Sequence, residues 1–310
     1  MRIIADKHIP FLQEAIQNEW PKVDFCPMEP EQMTPSTIQE ADVLVVRTRT
    51  KIDEHLLKGS KVQLVCTATI GFDHIDTAYC QSHNIRWTAC PGCNAQAVCD
   101  YIEETLKDVH ATGTLGVVGV GHVGSLVAQM AEKRGMKVLL NDPPKGIGVS
   151  LDEIAKKSDT ITFHVPLDES TYHMCNADFL SKCKPNALII NAARGGVVDE
   201  KALLLSHHPY ILDTWENEPN INTDVLINAT LASMHIAGYS VEGKRKASQM
   251  CLDVIAEQFQ LPHIDISKYP YKGLSQKNSN EHWLAAITRQ LKTHPTDFES
   301  LRKSYPLREE

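Results

Sequence analysis

Three residues of this 310-residue chain are of types that together move a proton and a hydride: Arg194, Glu218 and His235. Histidine titrates near working pH, so it suits taking a proton from a hydroxyl as hydride leaves the carbon that bears it. A carboxylate beside the ring keeps the right tautomer and stabilises the imidazolium. A guanidinium grips a substrate carboxylate at two points and fixes which face the adjacent carbon presents. Each residue also has a plainer reading. Arg194 would pair with an acid at a structural turn, Glu218, just before Pro219, would be an exposed loop acid, and His235 would be a core histidine bonded to backbone. What favours the joint reading is placement, because each follows a run that reads as a β-strand (188–191, 209–212 and the run ending before 234).

The elements that must position such a set begin at Thr114. An apolar run over 114–118 passes through G-V-G-H-V-G at 119–124 and enters a helix-like stretch over 125–131. Strand, glycine turn and helix in that order make the dinucleotide-binding fingerprint. Gly119 permits the tight turn, Gly121 lets backbone approach a pyrophosphate, and Gly124 lets the helix lie near the strand. His122 and Val123 complete the loop, and the helix N-terminus offers free N–H groups to the phosphates. The next strand, 137–141, ends at Asp142, 142 − 124 = 18 residues past the last glycine, where an acid meets the adenosine ribose. Its charge repels a 2′-phosphate, which favours NAD over NADP. The alternative is a glycine turn in another α/β protein, with Asp142 as a helix cap.

The rest of the chain suits such a reading. Hydrophobic content of 42% and charged content of 23% are ordinary for a globular protein, and the length suffices for two domains. A net charge of −8 leads away from nucleic acid, and no apolar run approaches the roughly 20 residues of a membrane span. The chain opens at once on a strand, so no signal peptide is expected, and nine scattered cysteines suit a reducing cytosol. Cys90-Pro91-Gly92-Cys93 reads as a turn, and no metal site is expected. Strands over 2–5, 23–26, 43–47, 64–67 and 85–88 alternate with helices over 9–18, 53–57 and 76–83, separated by a proline-rich loop from Pro27, which predicts a parallel sheet covered by helices. Arg47-Thr48-Arg49-Thr50-Lys51 follows the third strand and either holds a phosphate or carboxylate or is a solvated basic loop. Thr69 lies in a similar strand-end segment, 66–76, whose plain reading is a capping turn at Asp73. A helix capped by Asn94 leads into the fingerprint, but its apolar pattern stops at Glu103 and Glu104. Ser150 and Glu153 have capping-box spacing, and 242–260 is a long amphipathic helix. A tail of about 50 residues, with helices over 281–291 and 297–304, is too short for a core of its own, so it is expected to pack on another surface such as a twin subunit.

These motifs resemble the D-2-hydroxyacid dehydrogenase family. The resemblance rests on the fingerprint, 191–199 (NAARGGVVD), 213–219 (DTWENEP) and His235, and extends to 47–51, 67–76, 91–95, 142–144 and 235–239. Within the family the chain is most similar to the branch that acts on a phosphorylated four-carbon 2-hydroxy acid, with 298–305 (FESLRKSY) resembling that branch's extra dimerisation domain. The resemblance implies an α/β fold of two doubly wound parallel-sheet lobes, Rossmann and flavodoxin-like, plus a small C-terminal domain. The implied division is a substrate domain over 1–92 completed by 237–258, an NAD domain over 93–236 and a dimerisation domain over 259–310. It implies that Arg194 and Glu218 are catalytic and that His235 is the proton donor and acceptor. Asp142, Val165, Ala192, Ala193, Arg194, Asp213 and Gly238 match cofactor contacts, and Thr48, Thr69 and Tyr239 match substrate contacts. A phosphate at the far end of the acid accounts for Arg47, Arg49 and Lys51. A cytoplasmic homodimer is implied, with no nucleic-acid or membrane partner. Departures are Thr48 where serine is usual, the short helix after Asn94, and clipped loops near Gly148, Ser170 and Ser206, where residues are expected to be missing. Two other readings stay open: a relative acting on 3-phosphoglycerate or on glyoxylate and hydroxypyruvate, and a non-catalytic NAD-sensing scaffold.

Overall fold

The computed structural model describes residues 1–276 and 283–309, which divide into two compact units. The first comprises 1–94 and 240–275. Its sheet has five parallel strands, β1 (Arg2–Asp6), β2 (Asp24–Met28), β3 (Val43–Val46), β4 (Leu64–Thr67) and β5 (Arg86–Thr88), in the order β2-β1-β3-β4-β5. Every residue of β3 and β4 is buried, as a parallel strand covered on both faces requires. The covering helices start where side chains can satisfy their first N–H groups. Asp53 caps Glu54–Leu57, and Asp76, rather than Asp73, caps Thr77–Ser82. Ser240 caps the long helix Val241–Phe259, whose Ala247, Cys251, Leu252 and Ile255 pack with Ile3, Val43 and Leu64. The first helix begins at Leu12, three residues later than expected, because Phe11 adopts φ 70° and turns the chain. β2 runs through Pro27 to Met28, where a loop was expected, and Pro27 pairs in register with Ala5. Asn94 does not cap: its Oδ1 is buried without a hydrogen bond.

The second unit comprises 95–239 and 276–309. Its seven strands are β6 (Thr114–Val118), β7 (Lys137–Asp142), β8 (Ile147–Gly148), β9 (Thr160–Phe163), β10 (Leu188–Asn191), β11 (Tyr210–Leu212) and β12 (Leu231–Ala232). They lie in the order β12-β11-β10-β9-β6-β7-β8, with β8 alone antiparallel. Strand order reverses between β6 and β9, the switch point at which doubly wound sheets take ligands beyond their carboxyl ends.

The helix Ala95–Asp108 continues past Glu103 and Glu104, where its apolar pattern was expected to stop. It is one element of 14 residues, with Tyr101, Ile102, Thr105 and Leu106 all buried. Glu103 and Glu104 fall on its outer face and pair with Lys107 at 3.3 and 2.7 Å, so the apolar period continues past them. The tail divides, with 259–275 clustering in the first unit and 276–309 in the second. Leu284, Leu291 and Phe298 are buried in the second unit's cores, and the Thr288 hydroxyl accepts the Ala232 N–H at 2.8 Å. Residues 281 and 282 of the expected helix 281–291 lie outside the described residues; the described part runs Trp283–Thr293. No helix among the described residues is long and apolar enough to cross a membrane.

Candidate active site

The glycine turn follows β6 at the switch point. Gly119 has φ +89°, and a side chain there would meet the His164 carbonyl at 2.7 Å. Gly124 lies in the first turn of the helix His122–Lys133, and a Cβ on it would sit 1.9 Å from the Gly119 carbonyl oxygen. Gly121, at the helix N-cap, is different: nothing lies within 4 Å of where its Cβ would be. An open space beside backbone at a helix N-terminus is what a pyrophosphate needs. Asp142 ends β7, and its Oδ2 accepts the Val120 N–H at 2.9 Å, with Lys145 Nζ at 3.6 Å from the same oxygen. The acid therefore also ties the glycine turn to the neighbouring strand end. His164 and Val165 follow β9, and burial pushes the His164 imidazole down to about 3, so the ring is neutral. These residues fit a dinucleotide.

Further along the sheet, Arg194, Glu218 and His235 follow β10, β11 and β12. Glu218 and His235 are joined directly: Nδ1 of His235 and Oε2 of Glu218 are 2.8 Å apart. Glu218 Oε1 accepts the Trp215 N–H at 2.8 Å, and Arg302 of the tail lies 3.6 Å from Oε2. Burial pushes the Glu218 carboxyl up, but the hydrogen bond and charge of His235, the Trp215 N–H and the Arg302 guanidinium outweigh it and hold it below its ordinary value. The His235 side chain is about one-third exposed, and because Nδ1 is the ring nitrogen that meets Glu218, Nε2 is the one left to exchange a proton.

The histidine backbone is strained, with φ 59°, and its surroundings hold it there. The His235 N–H donates to the Asp213 carbonyl at 2.7 Å. The buried Asp213 carboxylate accepts the N–H groups of Ile236 and Ala237 at 2.7 and 2.9 Å and the Ser233 hydroxyl at 2.6 Å. Asp213, expected as a cofactor contact, thus has its carboxylate engaged in shaping the segment that carries the histidine, up to Gly238 and Tyr239. Arg194 sits one strand end away, and its Nη1 bonds the Ala193 carbonyl at 2.8 Å. The 192–196 turn is pressed onto the approach to Glu218, since a Cβ on Gly195 would lie 1.9 Å from the Trp215 carbonyl oxygen.

The first unit places the remaining expected residues at the ends of β3 and β4. Arg47 forms a two-point ion pair with the buried Asp6 at the end of β1, at 2.7 and 3.1 Å, and Lys51 pairs with Asp53 at 3.0 Å. Two cations of the basic loop are therefore engaged by carboxylates. Thr48 and Arg49 are exposed. The Thr69 hydroxyl lies 2.6 Å from that of Thr67, which in turn meets His74 Nε2 at 3.1 Å. Cys90 and Cys93 carry buried free thiols, and burial pushes Cys93 up to about 12.

Sequence reasoning missed Arg302, whose residue type and position in the tail give no local signal. It also missed Glu200, which caps the approach to Glu218 by accepting the Glu216 N–H at 2.7 Å. Burial raises the Glu200 carboxyl to about 7. Glu216 itself pairs with His173.

Residues 96–237 match the model of the D-isomer specific 2-hydroxyacid dehydrogenase NAD-binding domain. An erythronate-4-phosphate dehydrogenase of Bacteroides fragilis (strain YCH46) is 41% identical over 340 positions, covering 100% of this chain and 97% of that protein. The chain belongs to the D-isomer specific 2-hydroxyacid dehydrogenases. It is an NAD-dependent oxidoreductase of Rossmann type. Two solved structures are similar at 25% identity. The D-lactate dehydrogenase of Aquifex aeolicus, complexed with NAD and lactic acid, has a TM-score of 0.69 over 83% of this chain and 95% of its own. The NAD-bound 3-phosphoglycerate dehydrogenase of Entamoeba histolytica has a TM-score of 0.72 over 84% and 95%. The Bacteroides match spans 340 positions for 310 residues here, so 340 − 310 = 30 of its positions fall opposite gaps in this chain.

Proposed function

We propose that this protein oxidises 4-phospho-D-erythronate at C2 to (R)-3-hydroxy-2-oxo-4-phosphooxybutanoate, a step of pyridoxal 5′-phosphate biosynthesis. The observation that carries the choice within the family is coverage. The erythronate-4-phosphate dehydrogenase relative matches the whole chain, whereas the lactate and phosphoglycerate dehydrogenase structures leave about a sixth of it unmatched. In this reading His235 takes the C2 hydroxyl proton on Nε2, and Glu218 at Nδ1 holds the tautomer and stabilises the imidazolium. Arg194 grips the substrate carboxylate. NAD, when bound, accepts the hydride. Gly119, Gly121, His122, Val123 and Gly124 cradle its pyrophosphate, Asp142 takes the ribose, and Val165, Ala192, Ala193, Arg194, Asp213 and Gly238 line the nicotinamide side. Arg47, Thr48, Arg49, Thr69 and Tyr239 contact the substrate, with Arg47 set in place by Asp6. The protein is read as a cytoplasmic homodimer assembled through its tail.

The deciding experiment is turnover with NAD of 4-phospho-D-erythronate against 3-phosphoglycerate, D-lactate and hydroxypyruvate (the last in the reducing direction). The reading requires kcat/KM for erythronate 4-phosphate at least about tenfold above the others, the span that about 1.4 kcal/mol of differential contact provides. A preference for one of the others assigns the chain to another substrate. A His235→Ala variant that bound NAD and kept full activity would remove the mechanism. A wild-type protein that bound NAD and turned over none of these acids would favour the sensing scaffold.

A further inference from the structure

The C-terminal tail reaches the histidine segment through two arginines of the second unit. Arg302, on the helix Phe298–Ser304, sets one arm 3.6 Å from Glu218 Oε2, the same oxygen that engages His235 Nδ1. Its other arm is held by Glu299, one turn back, at 2.8 Å. Arg308, only 3% exposed, fastens the segment just past the histidine. Its Nη2 bonds the Ala237 carbonyl, also reaching the Ala97 carbonyl at 3.2 Å, and its backbone N–H and Nε both reach the Tyr239 carbonyl at 3.3 Å. The N–H groups of 236 and 237 are taken from the other side by Asp213, so the peptides next to His235 are held at both ends.

We propose that Arg302 is a positioning residue for His235, acting through Glu218: it orients the carboxylate and withdraws part of its charge from the imidazole. The inference rests on reading His235 as the base of the reaction. A cation 3.6 Å from the shared carboxylate oxygen competes with the imidazolium for the same negative charge, so it lowers the proton affinity of the ring. That matters for oxidation, in which the ring must start neutral. The other charges around Glu218 are fixed in kind: Glu299 on the tail helix, and Glu200 with Glu216, the latter paired with His173. Glu299 and Glu216 are acids and raise the ring's proton affinity, as does Glu200 once pH rises through about 7, which leaves Arg302 as the opposing term among the described contacts of Glu218.

The test is NMR titration of the His235 ring in the enzyme without substrate, alongside the pH profile of kcat/KM. In Arg302→Gln the titration midpoint rises by about half to one pH unit, the acid limb of kcat/KM follows it, and NAD affinity stays unchanged. Arg302→Lys restores most of the shift. Glu299→Gln, which removes a counter-charge from Arg302, moves the midpoint the opposite way by a few tenths of a unit at most. An unmoved midpoint in folded Arg302→Gln, or an upward shift in Glu299→Gln, overturns the proposal. If Arg302→Gln does not fold, the direction of the Glu299→Gln shift decides. Because the titration needs no substrate, it fails or succeeds separately from the assignment of the reaction, which full activity of His235→Asn would refute.

Discussion

Replacing Glu218 by glutamine tests the core of the site, because the structure leaves the amide no good arrangement. The carboxylate accepts on both oxygens, from His235 Nδ1 at 2.8 Å and from the Trp215 N–H at 2.8 Å. A glutamine has one oxygen and one NH2 for the two positions. If the oxygen stays with Trp215, the NH2 faces Nδ1 and drives the ring to the tautomer protonated at Nε2, which cannot accept the substrate proton. If the oxygen faces Nδ1, the NH2 opposes the Trp215 N–H. A hydrogen bond to a charged group contributes about 1.5–3 kcal/mol, which at 1.36 kcal/mol per tenfold is a factor of roughly 10 to 150. The wrong tautomer adds to this, so kcat in the oxidation direction falls about 10²- to 10³-fold.

The pH dependence carries the sign. Loss of the carboxylate destabilises the imidazolium, so the acid limb of kcat/KM moves down by about one to two units. The reducing direction, which needs imidazolium, loses its alkaline side and is impaired most near neutrality. Steady-state NADH absorbance across pH in both directions reads these limbs, and a larger primary isotope effect with substrate deuterated at C2 shows that chemistry has become limiting. Stability supplies an independent check. The Glu218 carboxyl lies below its ordinary value, so its contribution is present above the unfolded value of 4.5 and is lost as pH falls through the folded value. The gap between wild type and Glu218→Gln in urea melts therefore closes in acid. Near-normal kcat with an unmoved acid limb in a folded Glu218→Gln protein would refute the reasoning.

The other predictions separate binding from folding. Gly121→Ala meets open space and keeps the fold, at a capping cost of at most about 1 kcal/mol, but weakens NAD binding by an order of magnitude or more in fluorescence titration. Gly124→Ala drives a methyl to 1.9 Å from a backbone oxygen, so the melting temperature drops as well and NAD binding is lost with the local fold. Arg47→Gln leaves the buried Asp6 carboxylate with the His8 N–H at 2.9 Å but no counter-charge and costs about 1.5–3 kcal/mol in denaturant melts. Asp6→Asn combined with it recovers part of that stability, while recovery of none would mean the pair is not coupled. Glu200 is raised from 4.5 to about 7, so the folded state binds the extra proton and wild-type stability declines as pH rises from 4.5 through 7. Glu200→Gln removes the decline, gaining about 2–3 kcal/mol on wild type between pH 5 and pH 8 in matched urea melts; parallel curves would refute this.

How much of this was readable in the sequence depends on whether a residue's partner lies close by in the chain. The fingerprint was readable because all its parts fall within one strand, one turn and the start of one helix, and each glycine answers to a local geometric demand. Glu218 and His235 were readable because an acid and an imidazole just past successive apolar runs must emerge at the same edge of a parallel sheet, although nothing in the sequence shows that they touch. The misreading of Glu103 and Glu104 had a local cause: two adjacent acids break an apolar count, yet a helix needs only one face apolar, and Thr105 and Leu106 resume it. Arg47 could be named as an anion-binding cation, but not its engagement by Asp6, which lies 41 residues earlier and is brought alongside by strand order. Arg302 is the extreme case. An arginine in an amphipathic tail helix is an ordinary solvated charge until the fold sets it against Glu218. Residue type at a strand end therefore points to which chemistry is available, whereas the proton affinity at which it operates is set by charges from remote segments. The residues that tune this site should accordingly be sought in the tail and the acid cluster around Glu200, not in further motifs beside His235.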